Sequence, residues 1–421
     1  MNIRFEKPRW SLNTNLYEVN IRQYTKEGTF RAFMKELPRL HDMGVKTLWF
    51  MPLTPISKEK RLGTLGSYYA CSSYTDINPE FGTAHDFKIL IKKCRELGFK
   101  VLIDWVANHT GWDHTWTKTN PGFYKRNSQG SFYDSHNWSD VIDLNYYDHA
   151  MRREMIACME YWVREFDIDG FRCDMAHLVP LDFWRQARLH LDSIKPLFWL
   201  GETEHPNYQH VFDCSYAWNW MHVTEHAIKN KHSVDDLRNA LMDYKRKQLP
   251  QTNHLFFTTN HDENSWNGTE YEKYGKAALP LAVFACTWNG IPLIYSGQEL
   301  PNKKRLLFFD KDEIPWTGKN ELHDFYKSLL DSRSSFNEEQ TEVLMLNTGN
   351  ERQLLAFLKI ARLKQLLVVL NFSDHQQPLQ LEDGIVTGMY RDIFTNVKKE
   401  APSIRNLSME PWSYLVMEKR S

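Results

Sequence analysis

The stretch Asp169–Leu178, DGFRCDMAHL, places two charged residues where a buried strand is expected. Phe171 and Cys173 occupy one parity of this run. Arg172 and Asp174 occupy the other, so a strand directs both of their side chains to the same face. A charge at a core position is costly unless it is paired or has a function. We therefore interpret Arg172 and Asp174 as a pair that faces a wet cavity at the end of a strand.

Eight short apolar runs of this kind alternate with segments of helical period. The runs are NLYEVNIRQ, VKTLWFMP, FKVLIDWVANH, IDGFRCD, PLFWLGE, VFDCSYAW, HLFFTTNHD and GIPLIYSGQE. Between them, residues 149–167 carry an apolar stripe at spacings of three and four, and a similar stripe runs through FRAFMKELPRLHDMGV. Strands covered on both faces read as continuous apolar runs. Eight strand–helix units therefore predict an α/β fold, a closed (β/α)8 TIM barrel.

Two segments interrupt the alternation. Residues 111–145 begin with a loop rich in Trp, Tyr, Asn, Gly and Ser, which predicts a small inserted domain over the barrel mouth after the third strand. From residue 337 to 421, short strands separated by turn residues predict a C-terminal antiparallel β-sandwich domain. Residues 1–110 and 146–336 are then expected to form the barrel.

The charge balance of the chain limits its binding partners. The 421 residues include 52 Lys and Arg against 53 Asp and Glu, a net charge of -1 without long runs of one sign. This balance argues against a nucleic-acid partner and against a polybasic membrane surface. The N-terminal residues contain no apolar run, so we expect a cytoplasmic protein. The oligomeric state is left open.

Charged residues gather at the C-terminal ends of the predicted strands, where the active site of a TIM barrel lies. They are Asp104, Arg172, Asp174, Glu202 and Asp262, with His109 and His261 beside them. Any one of the aspartates alone is readily explained as a helix cap or a strand-end salt bridge. Several carboxylates crowded near one arginine instead indicate acid/base or nucleophilic chemistry.

Short motifs in the order DWVANH, GFRCD, GE and NHD resemble those of the α-amylase superfamily of retaining glycoside hydrolases. The segments GSYYACSSYTDINPEFGT and VIDLN resemble two further motifs of the family. The resemblance implies that Asp174 is the nucleophile, Glu202 the general acid/base and Asp262 a carboxylate that stabilises the transition state. It implies substrate contacts for a further set of side chains: Tyr69, Asp104, His109, Arg172, His177 and His261.

The implied activity is the cleavage of α-1,4-glucosidic bonds of starch-type glucans or maltooligosaccharides, with retention of configuration. Retention requires an attacking carboxylate and a protonated carboxylic acid about 5 to 5.5 Å apart. We expect Arg172 to hold Asp174 ionised, and Glu202 must keep its proton near neutral pH. Two alternatives remain: a 4-α-glucanotransferase that uses the same covalent step, and a barrel that only binds glucan. The chemistry requires no cofactor.

A structural calcium ion is the one metal that the resemblance brings into question. In calcium-dependent relatives, the fourth position past the nucleophile is a histidine whose carbonyl helps to hold the ion, whereas this chain has Leu178 there. Asn108 and Asp143 match other oxygen ligands of that site, and oxygen ligands suit calcium. They are equally well explained as hydrogen-bonding groups that pin the inserted segment, and the sequence leaves both readings open.

Overall fold

The computed structural model describes residues 4–230, 233–336, 341–362, 364–382 and 384–420. In chain order, the first ten strands are β1 (Leu16–Val19), β2 (Thr47–Phe50), β3 (Lys100–Trp105), β4 (His109–Gly111), β5 (Val141–Asp143), β6 (Gly170–Cys173), β7 (Phe198–Gly201), β8 (Cys214–Tyr216), β9 (Asn253–Phe256) and β10 (Ile291–Tyr295). Eight of these ten, all except β4 and β5, close into a barrel of parallel strands in which β10 pairs with β1. The predicted (β/α)8 barrel is confirmed.

The helices of the barrel lie outside this ring of strands. They are α1 (Ile21–Tyr24), α2 (Phe30–Phe33), α3 (Leu37–Asp42), α4 (Ala84–Glu96), α6 (His149–Phe166), α7 (Leu181–Asp192), α8 (Trp218–Asn230), α9 (Val234–Lys247), α10 (Glu270–Tyr274), α11 (Ala278–Thr287) and α12 (His323–Ser334), while α5 (Thr115–Thr119) lies in the inserted segment. Between β7 and β8 the chain forms a short 3₁₀ helix, Pro206–His210, in place of an α-helix. No helix among the described residues is long and apolar enough to cross a membrane.

Helix α6 shows how the local sequence sets an element that supports the site. Asp148 caps its start, because its carboxylate accepts hydrogen bonds from the backbone N–H groups of Ala150 and Met151. The chain leaves the helix at Asp167, which has left-handed backbone angles. The apolar stripe between these ends is buried, and it delivers the chain to β6, the strand that carries Arg172.

The barrel interior changes from apolar to charged along its axis. A buried cluster of aliphatic and aromatic side chains, which includes Leu16, Trp49 and Phe198, fills part of the barrel interior. Towards the C-terminal ends of the strands, the buried side chains Asp104 and Arg172 follow, and these two residues are register partners on β3 and β6. The lower barrel is therefore a packed core, and the charges gather at its upper mouth.

The inserted segment is anchored to the barrel by a short antiparallel pair, in which His109 on β4 faces Asp143 on β5. Its buried side chains Trp116, Phe123 and Tyr124 pack as part of the main core, where Trp116 contacts Tyr74. The anchor packs closely against the loop that follows β2. A Cβ atom at Gly111 would lie 2.1 Å from the Cβ of Ser57, so only glycine fits there.

The C-terminal domain is antiparallel, as the short strands of the sequence predict. Its elements are β11 (Glu342–Leu346), β12 (Leu354–Ala361), β13 (Lys364–Asn371), β14 (Gln377–Gln380), β15 (Met389–Asp392), β16 (Lys398–Glu400), α13 (Ala401–Arg405), β17 (Asn406–Met409) and β18 (Tyr414–Arg420). Six strands form one sheet in the order β11-β12-β13-β18-β15-β16, while β14 pairs with β17. The larger sheet contacts the barrel where Phe357 packs edge-on against Trp288.

Candidate active site

Arg172 is the centre of the charged cluster at the barrel mouth. Its Nη1 donates to Asp104 Oδ1 at 3.0 Å and to Asp174 Oδ1 at 2.8 Å, and its Nη2 lies 2.8 Å from Glu202 Oε2. The Nε of the guanidinium donates to the hydroxyl of Tyr216. The prediction that Arg172 faces a wet cavity is wrong: its side chain is fully buried, and its charge is balanced inside the protein by these carboxylates. Three acids from three neighbouring strands therefore meet on one planar group.

The backbone immediately after Asp174 helps to position the side chain of Glu202. Met175 adopts φ 40° and ψ 45°, a left-handed conformation that a residue with a side chain rarely takes. This turn directs the Met175 N–H at Glu202 Oε2, 2.9 Å away. Local strain at Met175 thus helps to fix the carboxylate of Glu202 beside that of Asp174.

A second group of side chains surrounds His261. Its Nδ1 lies 2.5 Å from Glu18 Oε1, and its Nε2 lies 2.7 Å from the Tyr69 hydroxyl and 3.3 Å from Asp262 Oδ2. Tyr69 also donates to Asp104 Oδ2 at 3.1 Å, so its hydroxyl joins this group to the Arg172 cluster. The rings of Tyr69 and His261 are stacked at 5.5 Å.

A cavity of about 400 Å³ opens above these two groups. Its floor includes the three predicted catalytic residues, Asp174, Glu202 and Asp262, together with Tyr69 and His109. The three carboxylates, widely separated in sequence, therefore share one cavity. Its walls carry aromatic side chains: Trp138, Trp266, Phe308 and Phe309. Pockets that bind small molecules commonly combine an apolar wall with a few converging polar groups.

Burial governs the protonation of the carboxylates. It raises the pKa of Asp104 to about 6, although Arg172 and His261 lower it. It raises the pKa of Asp174 well above the usual range, and Glu202 and Asp104 add to the effect of burial, which outweighs Arg172. The structure thus differs from the expectation that Arg172 holds Asp174 ionised. Crowding and burial together therefore favour the protonated forms of Asp104 and Asp174.

The two predicted histidines have opposite charge states. Burial lowers the pKa of His109 to about 4, so this ring is neutral at pH 7. Burial also acts to lower the pKa of His261, but the charges of Asp262 and Glu18 outweigh it and raise the pKa to about 9. His261 is therefore an imidazolium ion at neutral pH, held between two carboxylates beside Tyr69.

The pKa of His261 leads to a prediction about stability. A histidine with a pKa of 6.5 in the unfolded chain and about 9 in the folded protein stabilises the fold fully below pH 6.5. This contribution is lost as the pH rises to 9. The loss amounts to roughly 3 kcal/mol, at about 1.4 kcal/mol per pKa unit. Urea unfolding at pH 6.5 and pH 9 should therefore show a larger fall in the free energy of unfolding for the wild type than for His261→Gln. Equal falls in the two proteins would contradict the assignment.

Glu18 belongs to the site, and the sequence reading missed it. It is fully buried on β1, and its contact with His261 joins the first barrel strand to the loop after β9. A signal was present, because Glu18 is the one charged residue of the strand LYEV. The parity argument applied to Arg172 would have identified it.

The other predicted substrate contacts lie at different depths. The side chain of Asp104 is fully buried, so we expect it to orient Arg172 and Tyr69 rather than to contact a sugar. His109 lines the cavity, with its ring edge-on to Trp138. His177 is exposed on the turn after β6, and its backbone carbonyl accepts a hydrogen bond from Tyr208. Its contact with the substrate stays a prediction.

The residues matched to a calcium site do not fit a calcium ion. Asp143 Oδ2 already accepts from Lys125 Nζ at 2.9 Å and from the hydroxyl of Ser135. Asn108 turns its amide nitrogen towards His109 Nδ1, 3.2 Å away. Within the described ranges, no three His, Cys, Asp or Glu side chains are grouped so as to hold a metal. Calcium takes six to eight oxygen ligands, whereas here an ammonium group occupies the carboxylate.

Comparison with known proteins identifies a family model and several relatives that are similar to this chain. A family model described as alpha-amylase, catalytic domain, matches residues 12–137 and 121–340. Alpha-amylase 2 of Dictyoglomus thermophilum is 24% identical over 444 residues, which cover 93% of this chain and 74% of that protein. A cyclomaltodextrinase of Thermoanaerobacter pseudethanolicus is also 24% identical, and the match covers 85% of this chain and 62% of the relative.

Solved structures resemble the whole chain. The maltogenic alpha-amylase AmyB from Thermotoga neapolitana superposes with a TM-score of 0.89 at 31% identity, covering 97% of this chain and 99% of AmyB. An alpha-amylase from Lactobacillus plantarum gives a TM-score of 0.88 at 25% identity, covering 98% and 100% of the two chains. The barrel and the C-terminal β domain are thus both shared with these structures.

Proposed function

The chain belongs to the alpha-amylase family of glycosidases, and from that premise we propose that it cleaves α-1,4-glucosidic bonds of starch-type glucans or maltooligosaccharides by double displacement. In this reaction a covalent glycosyl-enzyme intermediate forms and is then hydrolysed with net retention. Asp174 is the proposed nucleophile and Glu202 the proposed general acid/base.

One observation carries the proposal: a hydrogen bond from Nη1 of Arg172 to Asp174 and an ion-pair contact of Nη2 with Glu202, each with an N–O distance of 2.8 Å, place the two carboxylates on one guanidinium. A shared arginine brings two carboxylates to adjacent positions. This supports the short separation of about 5 to 5.5 Å used by retaining enzymes over the roughly 6.5 to 9.5 Å used by inverting ones.

In the first step, a carboxylate oxygen of Asp174 attacks the anomeric carbon while the bond to the leaving oxygen breaks. Glu202 gives its proton to that oxygen, so the shortened glucan leaves as a neutral alcohol. This role requires that Glu202 carries a proton and that Asp174 is ionised when the substrate is bound.

In the second step, Glu202 accepts a proton from a water molecule as the water oxygen attacks the same anomeric carbon. The bond to Asp174 breaks, and the carboxylate is released. Two inversions restore the α configuration. If a sugar hydroxyl takes the place of the water molecule, the same step gives a transfer product.

The surrounding groups suit an oxocarbenium-like transition state. Asp262 lies beside the cationic His261, so its carboxylate can accept hydrogen bonds from sugar hydroxyls while the imidazolium fixes its position. Tyr69 presents a ring next to the carboxylates for stacking against the apolar face of a sugar. Such contacts accelerate the reaction if they are stronger in the transition state than in the bound substrate.

The substrate class rests on the cavity walls and on the relatives. Trp266 is half exposed and packs on Phe308 and Phe309, so it offers an indole face at one wall, while Trp138 lies at another. Aromatic faces of this kind bind sugar rings. The names of the relatives, alpha-amylase, cyclomaltodextrinase and maltogenic alpha-amylase, indicate α-linked glucans.

Incubation with maltoheptaose tests the proposal. We expect shorter maltooligosaccharides whose newly formed reducing ends are α-configured when they are observed by NMR before mutarotation. Two inversions at one carbon give this result, whereas a single displacement by water gives β products. Products in the β configuration would contradict the retaining mechanism.

The same reaction separates hydrolysis from transfer. Chromatography of the products at high maltoheptaose concentration should show only chains shorter than seven glucose units. Chains longer than the substrate would assign the protein as a 4-α-glucanotransferase, which retains the covalent step. If maltoheptaose stays unchanged but calorimetry detects its binding, the protein is a barrel that binds glucan without cleaving it.

A further inference from the structure

Lys125 binds Asp143 at the base of the inserted segment in two ways. Its backbone N–H donates to the Asp143 carbonyl at 3.0 Å, and its Nζ donates to Asp143 Oδ2 at 2.9 Å. The hydroxyl of Ser135 donates to the same Oδ2. Together, Lys125, Ser135 and Asp143 form a clip that ties three separate parts of the segment.

The clip compensates a buried negative charge. The side chain of Asp143 is fully buried, whereas that of Lys125 is 38% exposed. The second carboxylate oxygen, Asp143 Oδ1, is buried and finds no hydrogen-bond partner among the described residues. A buried carboxylate that loses the cation paired with it keeps the cost of desolvation without compensation. The ammonium of Lys125 is therefore essential to placing Asp143 in the interior.

The clip is connected to the active site through β5. Asp143 is the register partner of His109, a residue that lines the cavity. Trp138, Ser139 and Asp140 lie between Ser135 and Asp143 in the chain and line the same cavity. Movement of Asp143 would therefore shift one cavity wall, and a stable Asp143 fixes it.

We infer that the Lys125 ammonium replaces a structural divalent cation: it neutralises Asp143 and fastens the inserted segment to the barrel. The fold and the activity then require no calcium. This inference concerns the chain's own stability and does not depend on the proposed substrate.

Thermal unfolding tests the inference directly. Wild-type protein dialysed against EDTA should show the same Tm, within about 1 °C, whether it is measured with EDTA or with calcium chloride. Lys125→Met keeps the length of the side chain but removes its charge, and we expect its Tm to fall by about 3 to 6 °C. Lys118→Met is the matched control, because Lys118 is an exposed lysine of the same segment and its replacement should leave Tm unchanged.

Two further variants keep the test decisive if Lys125→Met folds poorly. Lys125→Arg retains the charge, so its Tm should fall by less than half as much as that of Lys125→Met. In Lys125→Met/Asp143→Asn both charges are absent, and the double variant should be more stable than Lys125→Met alone, since no buried charge is left unpaired. Stoichiometric calcium in dialysed wild-type protein, a calcium-dependent rise in its Tm, or a Lys125→Met variant as stable as wild type would overturn the inference.

Discussion

Asp174→Asn should lower kcat on maltoheptaose by about 10⁴-fold or more, since loss of a covalent nucleophile elsewhere costs up to about 10⁶-fold. The amide has the shape of the carboxylate and can still accept the hydrogen bond from Arg172, so we expect the fold to persist. Its oxygen is too weak a nucleophile to form the glycosyl-enzyme. Steady-state kinetics, with circular dichroism to verify folding, measure the effect.

Azide rescue of Asp174→Ala distinguishes a nucleophile from a residue that only supports the site. The smaller side chain leaves room for azide, which can displace fluoride from α-maltosyl fluoride in a single inverting step. The expected product is β-maltosyl azide. If Asp174→Asn retains more than about 1% of the wild-type kcat, or if azide gives no β product, another group is the nucleophile.

Glu202→Gln should lower kcat/KM on maltoheptaose by about 10² to 10⁴-fold, the range that general acid catalysis contributes. The expected loss is much smaller in the first step with α-maltosyl fluoride, because fluoride leaves without a proton. Comparing the two substrates in wild type and variant therefore isolates the protonation step. A hydrogen bond from Met175 N–H can still reach the amide oxygen, so the geometry is expected to remain.

Azide also tests the role of Glu202 in the second step, in which the glycosyl-enzyme is resolved. With Glu202→Gln and α-maltosyl fluoride, azide should intercept the glycosyl-enzyme and give α-maltosyl azide, since two displacements retain configuration. Equal losses on both substrates would show that Glu202 acts in binding or in structure and not as the acid.

The fold could be predicted from the sequence because a barrel strand has a simple signature. Each of the eight strands is buried on both faces and is therefore a short apolar run between turns. The continuity of the helices could be predicted less well from the sequence. The stripe FRAFMKELPRLHDMGV becomes α2, a 3₁₀ turn at Met34–Glu36 and α3, with Pro38 in the first turn of α3. Proline tolerates that position but interrupts a continuous helix.

The location of the site could also be predicted, whereas its charge states could not. The residue types and their order along the chain predicted that Asp174, Glu202 and Asp262 lie at one mouth of the barrel. All three line one cavity there. Their proton affinities depend on depth below the surface and on partners from distant strands. Glu18 is such a partner of His261, at a separation of 243 residues. A motif that spans a few residues carries no information about such a contact.

Because one guanidinium holds Asp104, Asp174 and Glu202, the parts of this centre cannot be tuned independently. A change that makes the attacking oxygen more reactive, by drawing Arg172 away from it, also alters the acidity of the proton donor. Engineering of the optimum pH is therefore more promising at a distance from this arginine. Evolution towards another pH optimum would likewise have to change the residues around this cluster, while Arg172 and its three carboxylates stay the same.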